Sequence, residues 1–325
     1  MNSNQFPKVA TSEKRAAGFT RALEQILSPD YEVDHIDLAA LSNLSQTQLA
    51  QLQAVWQDIS LERQHDFVAA LLEKSEDRFD LTFNDIFSWL LQNEDARLRS
   101  LAIEGLWEDD NVRQITPLIG LLRTDPAPAV RAAAALSLGR FVLLGELEEI
   151  DSQAAARVEN ALRQAYTVDE YEVTVRRRAL ESLAYSGQDD IEAYIQEAYE
   201  SDDHDMQVSA VFAMGRNANR RWRPIVLADL ASSDDAIRFE AVRAAGELRL
   251  KSAVSELIAI AGENDVELRD SAIWSLGQIG GQQAQRALRA FTKSDDEDLR
   301  DAAQEGLAEL ELFADLDDLG TLYSQ

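Results

Sequence analysis

The chain repeats one pattern of residues at a nearly constant spacing over most of its length. An arginine, replaced once by glutamine, recurs at steps of 32, 45, 31, 31, 31 and 31 residues. These residues define position 0 of seven repeats: Arg99, Arg131, Arg176, Gln207, Arg238, Arg269 and Arg300. A period of this length is typical of arrays in which each repeat is one supersecondary unit that stacks on its neighbours. The period therefore constrains the fold more than any other feature of the sequence.

Around position 0, small and apolar residues follow the spacing of one buried helix face. Positions −1 and +7 are apolar in every repeat, and position +6 is always glycine, alanine or serine. Position +3 is always alanine: Ala102, Ala134, Ala179, Ala210, Ala241, Ala272 and Ala303. Residues four apart share one side of a helix, and small side chains there let neighbouring helices approach closely. We therefore predict that each repeat is a helical hairpin whose second helix carries this stripe.

Two further positions predict helix ends. Position −4 is acidic in most repeats, where a carboxylate can cap the second helix; the aspartates are Asp95, Asp203, Asp234, Asp265 and Asp296. Position +8 is glycine in four repeats, which we interpret as left-handed C-caps: Gly139, Gly215, Gly246 and Gly277. Because most basic residues are arginine, we expect the position 0 arginines to pair with carboxylates of adjacent repeats.

The repeat pattern is similar to that of a known family. It resembles the HEAT-like repeat of the PBS-lyase type at Val130, Arg131, Ala134, Leu138 and Gly139, and again at Leu268, Arg269, Ala272, Leu276 and Gly277. The resemblance implies an all-α fold, an α-α superhelix or HEAT-like α-solenoid.

The predicted organisation has four parts. They are a flexible N-terminus at residues 1–14, an N-terminal helical cap at 15–92, seven HEAT-like repeats at 93–310 and an acidic C-terminal tail at 311–325. Within the cap, residues 15–27, 45–57, 60–74 and 82–92 have the pattern of amphipathic helices, with Ser45 and Ser60 as N-caps. Both a packed and a mobile tail are compatible with its sequence.

Composition argues against several functional classes. The 59 acidic residues outnumber the 31 basic residues, and the net charge of −28 repels nucleic acid. The absence of cysteine excludes disulfides and thiol nucleophiles. The polar segment Met1–Ser12 lacks the apolar core of a secretory signal, and the apolar stretch Val130–Leu144 contains two arginines and is short for a membrane span. We expect a cytoplasmic protein that binds neither nucleic acid nor membrane.

The sequence offers little for catalysis. HEAT-like repeats also build the di-iron deoxyhypusine hydroxylases, which carry His-Glu pairs on several repeats. Here the three histidines are His35, His65 and His204, and none precedes a glutamate. We therefore predict no metal site, no cofactor and no catalytic residue, with the histidines as solvent-facing polar residues.

The second helices offer a candidate protein-binding surface. In HEAT arrays these helices line the concave groove, so positions +1, +5 and +9, which avoid the buried stripe, should face it. In the middle repeats these positions hold aromatic residues and arginine, which are enriched at interface hot spots. The predicted protein-binding residues are Arg177, Tyr185, Phe212, Arg216, Phe239, Arg243 and Trp274. We call Tyr185, Phe212, Phe239 and Trp274 the aromatic strip; packing of its rings against adjacent helices is the alternative.

A second arginine-rich segment surrounds Trp222. Arg220, Arg221 and Arg223 have few acidic residues beside them in the sequence. Both a solvated turn and a contact with an acidic partner are compatible with this segment.

These observations predict a non-enzymatic scaffold or adaptor that binds a partner protein along the groove, with a basic protein as one candidate partner. The alternative, implied by the repeat resemblance, is a phycobilin-lyase-like subunit that assists attachment of a tetrapyrrole to a protein or its removal. The sequence does not indicate the oligomeric state.

Overall fold

The chain is all-helical over the part that the structure describes. The computed structural model describes the backbone of residues 6–168 and 171–323 and the side chains of residues 16–33, 35–168 and 171–310. This part contains seventeen α-helices and no strand. Contacts divide the chain into two compact units, Met1–Val175 and Arg176–Gln325. The all-α solenoid class predicted from the repeat is confirmed.

The first unit begins with three helices and continues into helical hairpins. Its helices are α1 (Phe6–Leu27), α2 (Gln46–Val55), α3 (Leu61–Asp77), α4 (Asn84–Leu90), α5 (Ala96–Gly105), α6 (Ile115–Thr124), α7 (Pro128–Glu146) and α8 (Ser152–Thr167). Helices α4 and α5 pair, as do α6 and α7, and the second helices α5 and α7 pack against each other. Helix α3 packs against α5 in the same manner and so takes the place of a repeat's second helix, whereas α4, also within the predicted cap range 15–92, is the first helix of the first hairpin.

The second unit contains the most regular repeats. Its helices are α9 (Val173–Leu183), which starts at the unit boundary, α10 (Asp189–Tyr199), α11 (His204–Asn217), α12 (Arg223–Asp229), α13 (Asp235–Glu247), α14 (Val254–Ile260), α15 (Val266–Ile279), α16 (Gly281–Phe291) and α17 (Glu297–Tyr323). The second helices α11, α13, α15 and α17 pack in sequence, each beside the next, and each pairs with the helix before it in its own hairpin.

The two ends of the chain differ from the expected boundaries. Helix α1 starts at Phe6, inside the range 1–14 that was expected to be flexible, and residues 1–5 lie outside the described residues. Helix α17 continues through most of the predicted acidic tail to Tyr323, although its side chains are described only to residue 310. The two final residues of the tail lie outside the described residues.

The predicted alanine stripe is the contact surface between second helices. All seven position +3 alanines have an exposed fraction of 0%. The predicted N-caps are also present, because Asp95, Asp203, Asp234 and Asp265 each accept a hydrogen bond from a backbone N–H in the first turn of the following helix. Asp296 accepts one from Leu299 in the same way. The period and its buried face are therefore confirmed by the packing.

The interpretation of the position +8 glycines was wrong. All four glycines lie inside their helices and do not have the positive φ of a left-handed cap: Gly139, Gly215, Gly246 and Gly277. A Cβ added to Gly246 would lie 2.9 Å from the Cα of Ser275 on the next second helix, and one on Gly215 would lie 2.9 Å from the Cα of Ala244. These glycines are needed because adjacent second helices approach too closely for any side chain.

Helix α7 accounts for the longest apolar stretch. Within the described residues it is the one helix long and apolar enough to cross a membrane by length and composition. It packs against α5, α6 and α8, and Ala134, Leu138 and Phe141 are fully buried in these contacts. The lengths of α7 and α8 together account for the 45-residue step from Arg131 to Arg176.

Candidate functional site

The position 0 side chains hold the loop that precedes their own helix. A guanidinium or amide at this position donates to a backbone carbonyl six residues earlier in four repeats. The bonds run from Arg99 to Asn93, from Arg131 to Asp125, from Gln207 to Ser201 and from Arg300 to Ser294. This contact depends on a fixed spacing, and it explains why position 0 is so constant along the chain.

Position 0 arginines of four repeats also pair with a carboxylate of the next hairpin, as predicted. Arg99 binds Asp125 through two hydrogen bonds of 2.7 and 2.8 Å, and both side chains are buried. Arg131 pairs with Glu172, Arg238 with Glu263 and Arg269 with Asp296. The structural role expected for these arginines is therefore confirmed.

Two histidines make equivalent links between hairpins. His204 Nε2 lies 2.7 Å from the carboxylate of Asp234, and His65 Nε2 lies 2.8 Å from that of Asp95. Each aspartate is the N-cap of a second helix. His204 belongs to the repeat whose position 0 is the uncharged Gln207, so in that repeat the histidine makes the link to the next hairpin. Among the described residues, no group of three or more histidine and acidic side chains could hold a metal ion.

All seven predicted protein-binding residues are half-buried and belong to the second unit. The structure brings three of them together: the Arg216 guanidinium carbon lies 5.6 Å from the centre of the Tyr185 ring and 5.3 Å from that of Phe212. Arg216 also pairs with Glu247 at 3.4 Å. The arginine thus fills the space between two rings of the aromatic strip and holds their orientation.

Arg177 belongs to a polar network between α9 and α11. Its Nε donates to Ser209 Oγ at 2.9 Å, and its Nη1 donates to Asp205 at 2.6 Å. The Ser209 hydroxyl in turn donates to Glu181, which is buried and also accepts from Arg178. The charge of Arg177 is therefore used within the fold, which the sequence alone did not indicate.

Two half-buried glutamates of α13 lie near Arg243. Burial raises the pKa of the Glu240 carboxyl, and the positive charge of Arg243 opposes the rise. Burial raises the pKa of Glu247 as well, against the charges of Arg216 and Arg243. Oxygen Oε2 of Glu240 is buried without a hydrogen bond. Arg243 therefore offsets the negative charge of both glutamates.

Phe239 and Trp274 each line a separate acidic cavity. The cavity beside Phe239 has a volume of about 490 Å³, and its wall contains several carboxylates, among them Asp235, Glu240 and Glu267, together with Arg238. The cavity beside Trp274, between α15 and α17, has a volume of about 500 Å³. Its polar wall consists of carboxylates: Asp270, Asp298, Asp301, Glu305 and Glu309. Neither Lys nor Arg lines this second cavity.

The segment around Trp222 has a structural explanation. Trp222 is fully buried, and its indole N–H donates to Asn217 at 3.0 Å. Arg221 stacks on the indole and pairs with Glu192, whereas Arg220 and Arg223 are exposed. The arginines thus surround a core residue at the start of a short first helix.

Sequence reasoning found the aromatic side of the Trp274 cavity but missed part of its acidic wall. Asp298 stands at position −2, outside the three positions expected to face the groove, and it reaches the cavity from the first turn of α17. The signal that could have found it is the high density of acidic residues from Asp295 to Asp301.

Comparison with known proteins agrees with this architecture. A family model for HEAT repeats matches residues 84–168 and 223–308. No curated protein sequence matches the chain. A solved structure of the complex of CpcE and CpcF of phycocyanin lyase from Nostoc is similar, with a TM-score of 0.54, 21% identity and coverage of 80% of this chain and 95% of that chain. Human deoxyhypusine hydroxylase gives a TM-score of 0.35 at 14% identity, with coverage of 93% and 98%.

The family match and the packing are independent observations that agree. The matched stretches contain hairpins whose second helices bury the position +3 alanines completely, and they cover more than half of the 325 residues. The chain therefore belongs to the HEAT-repeat family.

Proposed function

We propose that the protein is a non-enzymatic cytoplasmic scaffold that binds a basic partner protein through the second unit. The observation that carries this proposal is the Trp274 cavity, where an indole stands among five carboxylate residues without a basic residue in the wall. A lysine or arginine side chain of a partner fits such a cavity. The face of the indole attracts the positive charge of that side chain, and the carboxylates accept hydrogen bonds from its N–H groups.

The Phe239 cavity supports the same class of partner, since the one arginine in its wall, Arg238, is already paired with Glu263. Phe239, like Trp274, is a half-buried ring of the aromatic strip beside several carboxylates, and the two residues belong to consecutive repeats. Packed helices lie about 8–10 Å apart, so a partner with two basic side chains at that spacing could fill both cavities. A net charge of −28 attracts such a partner before contact.

The test is affinity purification from native extract with three forms of the protein. Wild type is compared with Phe239→Ala/Trp274→Ala and with Asp298→Asn/Asp301→Asn, and captured proteins are quantified by mass spectrometry. We expect both variants to lose the same basic protein, at least tenfold, and higher salt to release it from wild type.

The control is Glu146→Gln/Glu149→Gln, which changes the net charge by the same amount at exposed residues outside both cavities. This variant should retain the partner. Equal capture by wild type and both cavity variants, or loss of the partner from the control as well, would contradict the proposal.

A phycobilin-lyase-like subunit is the second candidate. It is supported by the similarity to the phycocyanin lyase complex. Mixing the protein with a bilin and an acceptor protein, and recording the visible absorption spectrum, tests this candidate. A spectral change that is retained in Phe239→Ala/Trp274→Ala would favour it over the scaffold, and an unchanged spectrum would exclude it.

A further inference from the structure

The two most exposed large apolar side chains of the described residues lie in one groove of the first unit. Phe79 has an exposed fraction of 86% and Trp107 one of 63%. Both line a groove of about 300 Å³ together with Phe83, which is buried. Aromatic side chains in this setting are costly in water and are the residue types that dominate binding surfaces.

The loop between α3 and α4 holds Phe79 in this exposed position. Arg78 binds Asp80 through two hydrogen bonds of 2.7 Å, and the N–H of Leu81 donates to the carbonyl of Arg78, so a closed turn surrounds Phe79. Beyond the turn, the Thr82 N–H donates to Ser42 Oγ and the Thr82 carbonyl accepts from Asn43. A side chain presented by a fixed turn loses little entropy on binding.

The early end of helix α5 exposes Trp107. The helix ends at Gly105, and a Cβ at that residue would lie 2.4 Å from the ring of Phe87, so the backbone lies directly against α4. Leu106 is fully buried, and the following residue therefore points away from the core. Trp107 occupies position +8, where the second unit has glycine in three repeats.

The charge of the groove identifies the kind of partner. Glu76 and Glu108 line the groove, and no Lys or Arg lines it. The nearby arginine in the sequence, Arg78, is paired with Asp80. A second copy of this chain would bring its own Glu76 and Glu108 to the same place, and two such copies would repel each other. We propose that the groove between Phe79 and Trp107 binds a peptide segment of another protein, in which one apolar side chain is flanked by lysine or arginine.

The experiment uses a displayed library of random nonapeptides selected on the full-length protein. We expect enriched peptides to share one large apolar residue with basic neighbours. Synthetic versions should bind wild type at least tenfold more tightly than Phe79→Ser/Trp107→Ser and than Glu76→Lys/Glu108→Lys. Binding should also protect Trp107 from acrylamide quenching, a signal that Trp107→Phe removes.

Two control variants make the result specific. Leu147→Ser removes another exposed apolar side chain of the first unit and should bind the peptides like wild type. Phe239→Ala/Trp274→Ala should also bind them like wild type, which separates this groove from the cavities of the second unit. The proposal is wrong if no peptide is enriched, if enriched peptides are acidic, or if they bind Phe79→Ser/Trp107→Ser as tightly as wild type. The proposal would also be overturned if wild type self-associates in sedimentation equilibrium and Phe79→Ser/Trp107→Ser does not.

Discussion

Position +8 serves opposite purposes in the first repeat and in the most regular repeats of the second unit. In three repeats of the second unit this position is a glycine within a helix, and the next helix lies so close that a Cβ on Gly246 would be 2.9 Å from the Cα of Ser275. In the first unit, position +8 of the first repeat is Trp107, which lies beyond the end of α5 and is mostly exposed. Trp107 and Gly246 therefore differ in role because one follows the end of its helix and the other lies within its helix.

The length of the second helix is the physical cause of this difference. Helix α5 has 10 residues, whereas α11, α13 and α15 have 14, 13 and 14. The additional turn in the second unit carries position +8 into the contact between neighbouring helices. In the first repeat this turn is absent, and Trp107 at position +8 is released from packing and is available for recognition.

The first prediction sharpens the comparison through the ion pairs that link hairpins. Arg99 and Asp125 of the first unit are 8% and 3% exposed, whereas Asp296, the partner of Arg269 in the second unit, is 46% exposed. Arg99→Ala leaves Asp125 charged and buried, so we expect the free energy of unfolding to fall by about 3–5 kcal/mol. Arg269→Ala leaves a carboxylate that water can reach, and we expect a loss of about 1 kcal/mol.

Urea unfolding followed by circular dichroism measures both losses. Arg99→Lys is the matched control, because it keeps the charge but not the paired hydrogen bonds to Asp125, and it should lie between wild type and Arg99→Ala. Similar losses for Arg99→Ala and Arg269→Ala would show that burial of the carboxylate does not set the cost.

The second prediction tests the close approach at position +8. Gly246→Ala forces a methyl group against Ser275, and we expect a loss of about 1–3 kcal/mol in the free energy of unfolding. Gly120→Ala, in helix α6 of the first unit, meets no heavy atom within 4 Å and should raise stability by up to about 1 kcal/mol. If both substitutions raise the urea midpoint, the glycine at position +8 is not required for helix contact.

The sequence predicted the fold well because its strongest signal is periodic. Alanine at position +3 and aspartate at position −4 identify a buried face and a helix start, and both depend only on residues within one helix. The distance between neighbouring helices is not a local property. For that reason the same analysis recognised Gly246 as special but assigned it to a helix end.

The candidate sites were predicted less completely for a related reason. Positions +1, +5 and +9 correctly placed Tyr185, Phe212 and Trp274 outside the buried stripe, since helix geometry fixes that direction. The exposure of Phe79 depends on a loop held by a hydrogen bond from the Thr82 N–H to Ser42 Oγ, and these two residues are 40 positions apart. No pattern within the loop indicates such a contact.

The last prediction concerns pH and has the smallest expected effect. The hydrogen bond and the charge of Asp234 raise the pKa of His204 above its ordinary value. Bonds from the backbone N–H of Ile237 and from His204 lower the pKa of Asp234, although burial opposes this shift. The link between α11 and α13 is therefore at full strength when His204 is protonated and Asp234 is ionised.

The sign follows from the raised pKa of His204. A group with a raised folded-state pKa stabilises the protein below its unfolded pKa of about 6.5, and this contribution disappears as pH rises through the folded-state value. His204→Gln keeps a hydrogen-bond donor without the charge, so its stability deficit relative to wild type should shrink from about pH 5.5 to about pH 9. Urea midpoints measured across this range check the trend, and an NMR titration of the His204 ring checks the pKa. A deficit that stays constant across the range would mean that His204 contributes through its hydrogen bond alone, and the second unit would then contain no link that depends on the charge of a histidine.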